Sequence, residues 1–167
     1  PFLRPSELSQ DDSVIKDSIL QVLKKLKEDE GYEPDIIVLL QPTSPLRTAK
    51  HINDCIHLLK EKKVDSILSV SKPMEHPAEM VFWDHSGKML FLSDIFFKEK
   101  KIQRQQYPTF LFANGAVYAF QYQSFMEKKS WFGDKTLPYE MRQIESIDID
   151  SIDDFRIVEA LLQVRNS

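Results

Sequence analysis

Two aspartates separated by a single residue form a candidate metal site near the end of the chain. Asp148 and Asp150 alternate with Ile147 and Ile149. On a strand, both carboxylates would share one face, with their Cα atoms roughly 6.5–7 Å apart. Carboxylates placed together repel each other unless a cation lies between them, and Mg²⁺ prefers oxygen ligands that it shares with phosphates. The pattern favours a Mg²⁺ site; the alternative is a helix cap at Asp150 and a solvated Asp148.

A polar loop between two prolines is the second candidate site. Residues 41–47 read Gln-Pro-Thr-Ser-Pro-Leu-Arg and follow an uninterrupted apolar run at 36–40. Such a run is typical of a parallel strand that is covered on both faces, and ligands of open α/β sheets bind at the carboxyl ends of strands. The loop brings together an amide, two hydroxyls and a guanidinium, from Gln41, Thr43, Ser44 and Arg47. A simple turn followed by a helix cap is the alternative interpretation.

A third group of polar residues lies between positions 104 and 118. Asn114 and Gly115 precede a predicted strand on which Tyr118 follows with its side chain on the same face as Ala116. The guanidinium of Arg104 could bind a carboxylate through two hydrogen bonds. Asn-Gly is also a common turn signal, so this pattern alone does not distinguish a binding site from a turn.

Alternating helix and strand patterns are predicted to position these sites. Apolar residues recur at helical spacing after the capping residues 11–13, after Thr48, and after Ser151, which forms a capping box with Asp154. Strands are predicted at 35–40, 64–70, 116–120 and 143–149. The strand–helix–strand order implies a right-handed crossover and a parallel sheet. We therefore expect one α/β domain over residues 1–167, without repeats or linkers.

The middle of the chain departs from this alternation. Two short apolar runs flank residues 84–87 and predict a hairpin. Residues 93–111 are basic and aromatic and show no clear period. We expect residues 80–111 to form an excursion from the main sheet, directed toward a partner subunit.

Composition excludes several classes of function. The chain has 167 residues, a net charge of −4, one cysteine and four histidines without ligand-like spacing. These features argue against nucleic-acid binding, an internal disulfide and a zinc site. No apolar run approaches the ~20 residues of a membrane span. With no visible signal peptide, these features indicate a cytoplasmic protein, and Cys55 is expected in the core.

Two further features concern phosphate binding and the start of the chain. None of the four glycines belongs to a glycine-rich phosphate loop of the GxGxxG or GxxxxGK[ST] type. The chain also begins with Pro1 rather than Met. We therefore expect a fragment or a processed product.

Five stretches of the chain form a set: Leu-Arg-Pro-Ser-Glu-Leu at 3–8, the loop at 41–47, Arg-Gln-Gln at 104–106, Asn-Gly-Ala-Val-Tyr at 114–118, and Ser-Ile-Asp-Ile-Asp at 146–150. Taken together, they resemble the CMP-acylneuraminate synthetases, which are the cytidylyltransferases of sialic acid and of its relatives pseudaminic and legionaminic acid. The stretches occur in the family's order and cover nearly the whole chain. The second and the last are specific in combination.

The resemblance implies a fold, a reaction and an assembly. The fold is Rossmann-like α/β, with a mostly parallel sheet, helices on both faces and a small dimerisation excursion. The reaction is attack of the anomeric hydroxyl of a nine-carbon 2-keto sugar acid on the α-phosphate of CTP, with Mg²⁺ present and pyrophosphate released. The partners are CTP, the acidic sugar and further copies of the chain in a homodimer or higher homo-oligomer.

The resemblance also implies roles for individual residues. The implied sugar-binding residues are polar or aromatic: Gln41, Thr43, Ser44, Arg47, Asn114, Tyr118, Trp131 and Phe132. Catalysis falls to Arg104, Asp148 and Asp150, of which the two aspartates also hold the metal. Asp11 and Ser13 are candidates for nucleotide binding.

Two departures from the family pattern leave alternatives open. Phe112 and Ala113 stand where several members have a basic residue and a proline, which leaves the identity of the sugar acid undecided. The family's opening strand and phosphate loop have no counterpart, and they would precede Pro1. Whether this polypeptide is itself an enzyme is therefore left open. The alternatives are a non-catalytic remnant that binds an acidic sugar or no ligand, and a cytidylyltransferase for another sugar acid.

Overall fold

The structure, a computed structural model, describes residues 3–10, 13–96 and 108–166. Its helices are α1 (Ile15–Glu30), α2 (Ala49–Lys62), α3 (Leu92–Phe96), α4 (Tyr122–Lys128) and α5 (Ile152–Asn166). Its strands are β1 (Ile36–Leu39), β2 (Ser66–Ser71), β3 (Val81–Trp83), β4 (Met89–Phe91), β5 (Phe112–Gln121) and β6 (Thr136–Glu140). Short 3₁₀ turns occupy Ser6–Leu8, Pro77–Glu79 and Gln143–Glu145.

The main sheet has the strand order β1-β5-β2-β6. Strand β2 runs parallel to β6, whereas β5 is antiparallel to both β1 and β2. The reversed direction of β5 follows from the excursion that precedes it. The chain leaves the sheet at Ser71 and re-enters at Phe112, which pairs with Ser71, so β5 must run back between its neighbours. The predicted α/β fold is confirmed, with three of these four strands pointing the same way.

Helices cover both faces of this sheet. On one face, Cys55 and Leu59 of α2 pack against Ile67 and Val117. On the other face, Leu23 of α1 and Phe125 of α4 enclose Phe120 from β5, and the rings of Phe120 and Phe125 lie 5.2 Å apart. The prediction that Cys55 lies in the core is confirmed, since the residue is fully buried.

Helix ends follow the capping signals with one exception. Helix α2 begins after Thr48, whose backbone N–H donates to Nδ1 of His51. At α5, Asp154 accepts hydrogen bonds from the Ser151 N–H and hydroxyl, as the capping box predicts. Helix α1 instead begins after Val14 without a side-chain cap, so the prediction of a cap within 11–13 is wrong. Position 13 lies one residue before that N-cap.

The predicted strand at 143–149 is also wrong. Gln143–Glu145 form a 3₁₀ turn, and residues 146–150 adopt no strand. The place beside β2 is taken by β6, which pairs with it in parallel from Thr136 to Glu140. Strand β6 was not predicted because Pro138 and its exposed neighbours are unlike a central strand; an edge position tolerates the missing N–H of proline.

A separate two-stranded sheet forms the start of the excursion. Val81 pairs with Phe91 and Trp83 with Met89, which confirms the predicted hairpin. These four apolar side chains share one face of the hairpin and are each 45–73% exposed. The remaining part of the predicted excursion includes residues 97–107, which lie outside the described residues.

None of the helices in the described ranges combines the length and the apolar character that a membrane crossing requires.

Candidate functional site

The loop at 41–47 leaves the carboxyl end of β1 and is held by its own arginine. Nη1 of Arg47 donates to the carbonyl oxygens of Gln41 at 2.6 Å and Ser44 at 3.1 Å. The same nitrogen lies 3.3 Å from the carbonyl oxygen of Ala116 on β5. Burial lowers the pKa of Arg47 from its usual value. The guanidinium therefore ties the loop to itself and to β5.

The loop meets the aspartate stretch directly. The buried hydroxyl of Ser44 donates to Oδ1 of Asp148 at 3.1 Å. The backbone N–H of Ile149 donates to the carbonyl oxygen of Thr43 at 2.9 Å. Two stretches that are remote in sequence thus come together at the edge where β1 and β2 end.

Strand β5 contributes a bulge at this edge. Leu68 of β2 pairs with Tyr118 of β5. Two residues further along β2, Val70 pairs with Ala113, so the register between the strands shifts. Gly115 lies in the bulge with φ at +72°, a left-handed conformation that favours glycine. A Cβ atom at this position would overlap Oε1 of Gln41 and lie 3.3 Å from its Cδ. The amide of Gln41 therefore lies against the Gly115 backbone.

Asn114 lies inside the protein, where its side chain is hydrogen-bonded to protein groups. It is 2% exposed. Its Oδ1 accepts from the Ser69 hydroxyl at 2.6 Å and from the Ala116 N–H at 3.2 Å. Its Nδ2 donates to the Ser146 hydroxyl at 2.9 Å and lies 3.6 Å from the Met141 sulfur.

Aromatic rings extend the site along β5. Tyr118 is half-buried, and burial followed by the negative charge of Asp148 raises its pKa. The phenol is therefore neutral at physiological pH. The ring of Trp131 lies 6.0 Å from that of Tyr118, and Phe132, which is half exposed, lies 6.3 Å beyond Trp131. The two predicted aromatic positions therefore continue outward from Tyr118.

The aspartates differ in their surroundings. Asp148 is half-buried against Ser44, whereas Asp150 is exposed and its N–H donates to Asp154 at the start of α5. Because residues 146–150 are not a strand, the argument that both carboxylates share a strand face does not hold. Among the described residues, no group of three or more His, Cys, Asp or Glu side chains gathers to hold a metal.

A Mg²⁺ ion nevertheless fits the chemistry of this donor set. Oδ1 of Asp148 is oriented by the Ser44 hydroxyl, and its other oxygen accepts no hydrogen bond from the described residues. One or two carboxylates, completed by water and substrate phosphates, are the usual protein contribution to a Mg²⁺ site. Asp148 can therefore contribute to such a site without a cluster of three acidic residues.

Of three further predicted residues, two are not described and the third makes a local contact. Arg104 and Asp11 lie outside the described residues. The hydroxyl of Ser13 accepts the Gln10 N–H at 2.9 Å, a local contact within the first residues of the chain. Within the described ranges, no hydrogen bond joins Ser13 to the loop or to the aspartates.

Sequence reasoning overlooked Ser69. This serine is 1% exposed in the fully buried strand β2, opposite the bulge of β5. Its hydroxyl accepts the Val117 N–H at 2.7 Å and donates to Asn114. A hydroxyl in a buried apolar strand must find a partner, and that rule could have drawn attention to it.

Comparisons with known proteins agree with the motifs. No family model matches the chain. The chain is 29% identical over 153 residues to an N-acylneuraminate cytidylyltransferase of Streptococcus agalactiae serotype V, covering 92% of this chain and 35% of the relative. It is 28% identical over 165 residues to a CMP-N,N'-diacetyllegionaminic acid synthase of Legionella pneumophila, covering 98% of this chain and 69% of that protein. The chain thus spans about a third of the Streptococcus relative's length.

A further relative is similar in sequence, and a solved structure is similar in fold. An N-acylneuraminate cytidylyltransferase of Escherichia coli is 28% identical over 168 residues, with 99% of this chain and 38% of the relative covered. The crystal structure of a 4-diphosphocytidyl-2C-methyl-D-erythritol synthase from Anaerococcus prevotii matches 91% of this chain and 68% of its own with a TM-score of 0.56. At 14% identity, that match shows a shared fold alone. The family resemblance of the motifs is confirmed, because nearly the whole chain is similar to proteins named as N-acylneuraminate cytidylyltransferases and as a CMP-N,N'-diacetyllegionaminic acid synthase.

Proposed function

We propose that this chain forms the sugar-binding and metal-binding side of a cytidylyltransferase. In the proposed reaction, the anomeric hydroxyl of a sialic-acid-like nine-carbon sugar acid attacks the α-phosphate of CTP, and pyrophosphate leaves. The observation that carries the proposal is the contact between Ser44 and Asp148, which joins the polar loop to the aspartate stretch. The named relatives support the choice of CTP and of a sugar acid.

Gln41 and Thr43 are the proposed hydrogen-bonding groups for the sugar. Both side chains are partly exposed, and neither makes a hydrogen bond to a described residue. Tyr118 is the third member of this set, with a neutral phenol that can donate to a sugar oxygen. Trp131 and Phe132 supply an apolar wall beside it. The Ser44 hydroxyl and Nη1 of Arg47 are hydrogen-bonded within the protein and hold these groups in place.

Asp148 and Asp150 are the proposed ligands of Mg²⁺. When bound, the ion would neutralise charge on the α-phosphate of CTP. Ser44 orients Asp148 by donating its single hydroxyl proton, which leaves the second carboxylate oxygen for the ion. Arg104 is proposed to bind the carboxylate of the sugar.

The relative named for legionaminic acid favours a second candidate substrate. The chain covers 69% of that protein, compared with 35% of the Streptococcus N-acylneuraminate enzyme. A diacetylated nine-carbon acid of the legionaminic type is therefore the alternative substrate to N-acetylneuraminic acid.

Saturation-transfer NMR can test sugar binding, and pyrophosphate release can test catalysis. We expect one nine-carbon acid of a panel to bind in the presence of Mg²⁺ and CTP, and Asp148→Asn to abolish turnover. Asp29→Asn is the matched control, because Asp29 lies near the end of α1, before β1 begins, and its partner among the described residues is Lys25. Binding without pyrophosphate release would identify the chain as a non-catalytic sugar-binding remnant. Binding of none of the nine-carbon acids would refute the proposal.

We propose in addition that the chain forms a homodimer or a higher homo-oligomer through the β3–β4 hairpin. The exposed face made by Val81, Trp83, Met89 and Phe91 supports this assignment. Contiguous apolar side chains on one exposed face are typical of interaction surfaces.

A further inference from the structure

A directed series of hydrogen bonds begins in the bulge between β2 and β5. The backbone N–H of Val117 can only donate, and it donates to Oγ of Ser69 at 2.7 Å. The single hydroxyl proton of Ser69 is then donated to Oδ1 of Asn114 at 2.6 Å. All three residues are buried, so these bonds form away from water. The direction of the first bond therefore determines which end of the Asn114 amide faces Ser69.

The series continues to the aspartate stretch. With Oδ1 toward Ser69, Nδ2 of Asn114 faces Ser146 and donates to its hydroxyl at 2.9 Å. The Ser146 hydroxyl in turn donates to the carbonyl oxygen of Arg142 at 2.8 Å. Every proton in the series thus has one donor and one acceptor. Its member Ser146 lies two residues before Asp148.

The same asparagine also contacts the loop. Its backbone carbonyl lies 3.4 Å from the Ser44 hydroxyl, which donates to Asp148 at 3.1 Å. Residues 146–150 belong to no strand, and their backbone is joined to the loop by the hydrogen bond that the Ile149 N–H donates to the carbonyl oxygen of Thr43. Beyond this backbone bond, the hydrogen bonds that join the stretch to the loop and to β5 come from the side chains of Ser44, Asn114 and Ser146.

We propose that Ser69, Asn114 and Ser146 are positioning residues that hold the stretch 146–150, and with it Asp148, against the loop at 41–47. Asn114 acts through this stretch and does not bind the sugar with its side chain. Both ends of its amide are engaged by protein groups at 2% exposure, so a ligand would have to displace one of them. That this positioning matters for metal binding rests on the proposed function, whereas the positioning of Asp148 itself does not.

Hydrogen exchange of the Ile149 amide measures this positioning directly. The variant Ser146→Ala removes the outer hydroxyl of the series at a half-buried position, so the fold is retained. We expect protection of the Ile149 amide to fall about tenfold, which is the change expected for one hydrogen bond of ordinary net strength. Ser146→Thr keeps the hydroxyl and should restore protection. Ser86→Ala, in the β3–β4 turn, is the matched control, because it removes a hydroxyl that, among the described residues, donates to Asp84 in the same turn.

Mn²⁺ binding, followed by EPR, separates this proposal from the proposed function. We expect Ser146→Ala to weaken Mn²⁺ binding about tenfold and Ser146→Thr to restore it. If the wild-type chain binds no Mn²⁺, the proposed metal site fails, while a selective loss of Ile149 protection in Ser146→Ala still supports the positioning role. If Ile149 is protected equally in Ser146→Ala and Ser86→Ala, the positioning role is overturned whether or not Mn²⁺ binds.

Discussion

Arg47 shows how one residue of a binding loop can act through the backbone. Its guanidinium nitrogen reaches carbonyl oxygens of Gln41, Ser44 and Ala116, so it joins the two ends of the loop and the neighbouring strand. Three acceptors around one cationic nitrogen leave little for an external ligand at that atom. The sequence indicated a guanidinium in the loop, and the structure shows how the protein uses it.

Replacing Arg47 by alanine should therefore destabilise the whole domain. Two of the carbonyls that it binds lie in the loop and the third lies in the buried strand β5, and all three lose a charged donor, which typically costs about 1.5–3 kcal/mol. Urea unfolding followed by circular dichroism measures the difference. Arg156→Ala is the control, because Arg156 is exposed and pairs with Asp153 on the surface of α5, where the cost is about 0.5 kcal/mol or less. Equal effects of the two variants would contradict the role given to Arg47.

Cys55 provides a pH-dependent test of burial. Burial, with a smaller contribution from Asp54, raises the pKa of its thiol to about 12. Only the thiolate reacts with alkylating reagents, and a raised pKa means that the thiol stays protonated as the pH rises through its ordinary value. At pH 8 we expect no labelling by iodoacetamide in the native chain and rapid labelling in urea. Labelling of the native chain at the rate of the unfolded chain would contradict a buried position.

At the scale of elements, the sequence patterns predicted the helices and strands that carry a long apolar face. Helices α1 and α2 and strands β1 and β2 have clear periodicity or uninterrupted apolar runs, and they were predicted to within a few residues. The stretch 146–150 has strand-like alternation, yet it does not pair with β2 because β6 already occupies the place beside that strand. Its isoleucines are half-buried, where Ile149 contributes to a groove with Phe155 and Val158 of α5.

The candidate site was predictable only in part, for a related reason. The meeting of the loop with Asp148 follows from their motifs and from the general position of ligand sites at strand ends. The role of Ser69 depends on the bulge opposite it, which shifts the register of β5 by several residues. A register shift arises from pairing between distant strands, so no local pattern in either strand indicates it.

Gly115 allows a test of the bulge at this scale. Gly115→Ala places a side chain at positive φ and against Gln41, whereas Gly31→Ala and Gly87→Ala meet the same backbone strain with no atom within 4 Å. We expect each control to cost about 1–2 kcal/mol and Gly115→Ala to cost about 1–3 kcal/mol more. Chemical denaturation of all three variants provides the comparison. In a Gln41→Ala background, the additional loss of unfolding free energy caused by Gly115→Ala should disappear. If that additional loss persists, Gln41 is not the group that the new side chain displaces.

At the scale of the whole molecule, the apolar surface that remains exposed is concentrated outside the main sheet. The sheet is covered by helices on both faces, and its central strands are buried. The hairpin β3–β4 instead presents Val81, Trp83, Met89 and Phe91 on one side, and Trp83 is 73% exposed. An isolated two-stranded hairpin is at best marginally stable in water, so covering this face would stabilise the hairpin as well as remove apolar surface from water.

We therefore expect the chain to self-associate through the hairpin, with Trp83 as the central contact. Trp83→Asp places a charge where an apolar ring would be buried, and it should shift a dimer or higher oligomer to monomer in sedimentation equilibrium at the same protein concentration. Val164→Asp is the matched control, since Val164 is 76% exposed on α5 and undergoes the same kind of change away from the hairpin. A wild-type chain that sediments as a monomer at high concentration would contradict the hairpin interface. Loss of association in Val164→Asp alone would instead place the interface on α5, whose Phe155 and Ile157 are also half exposed.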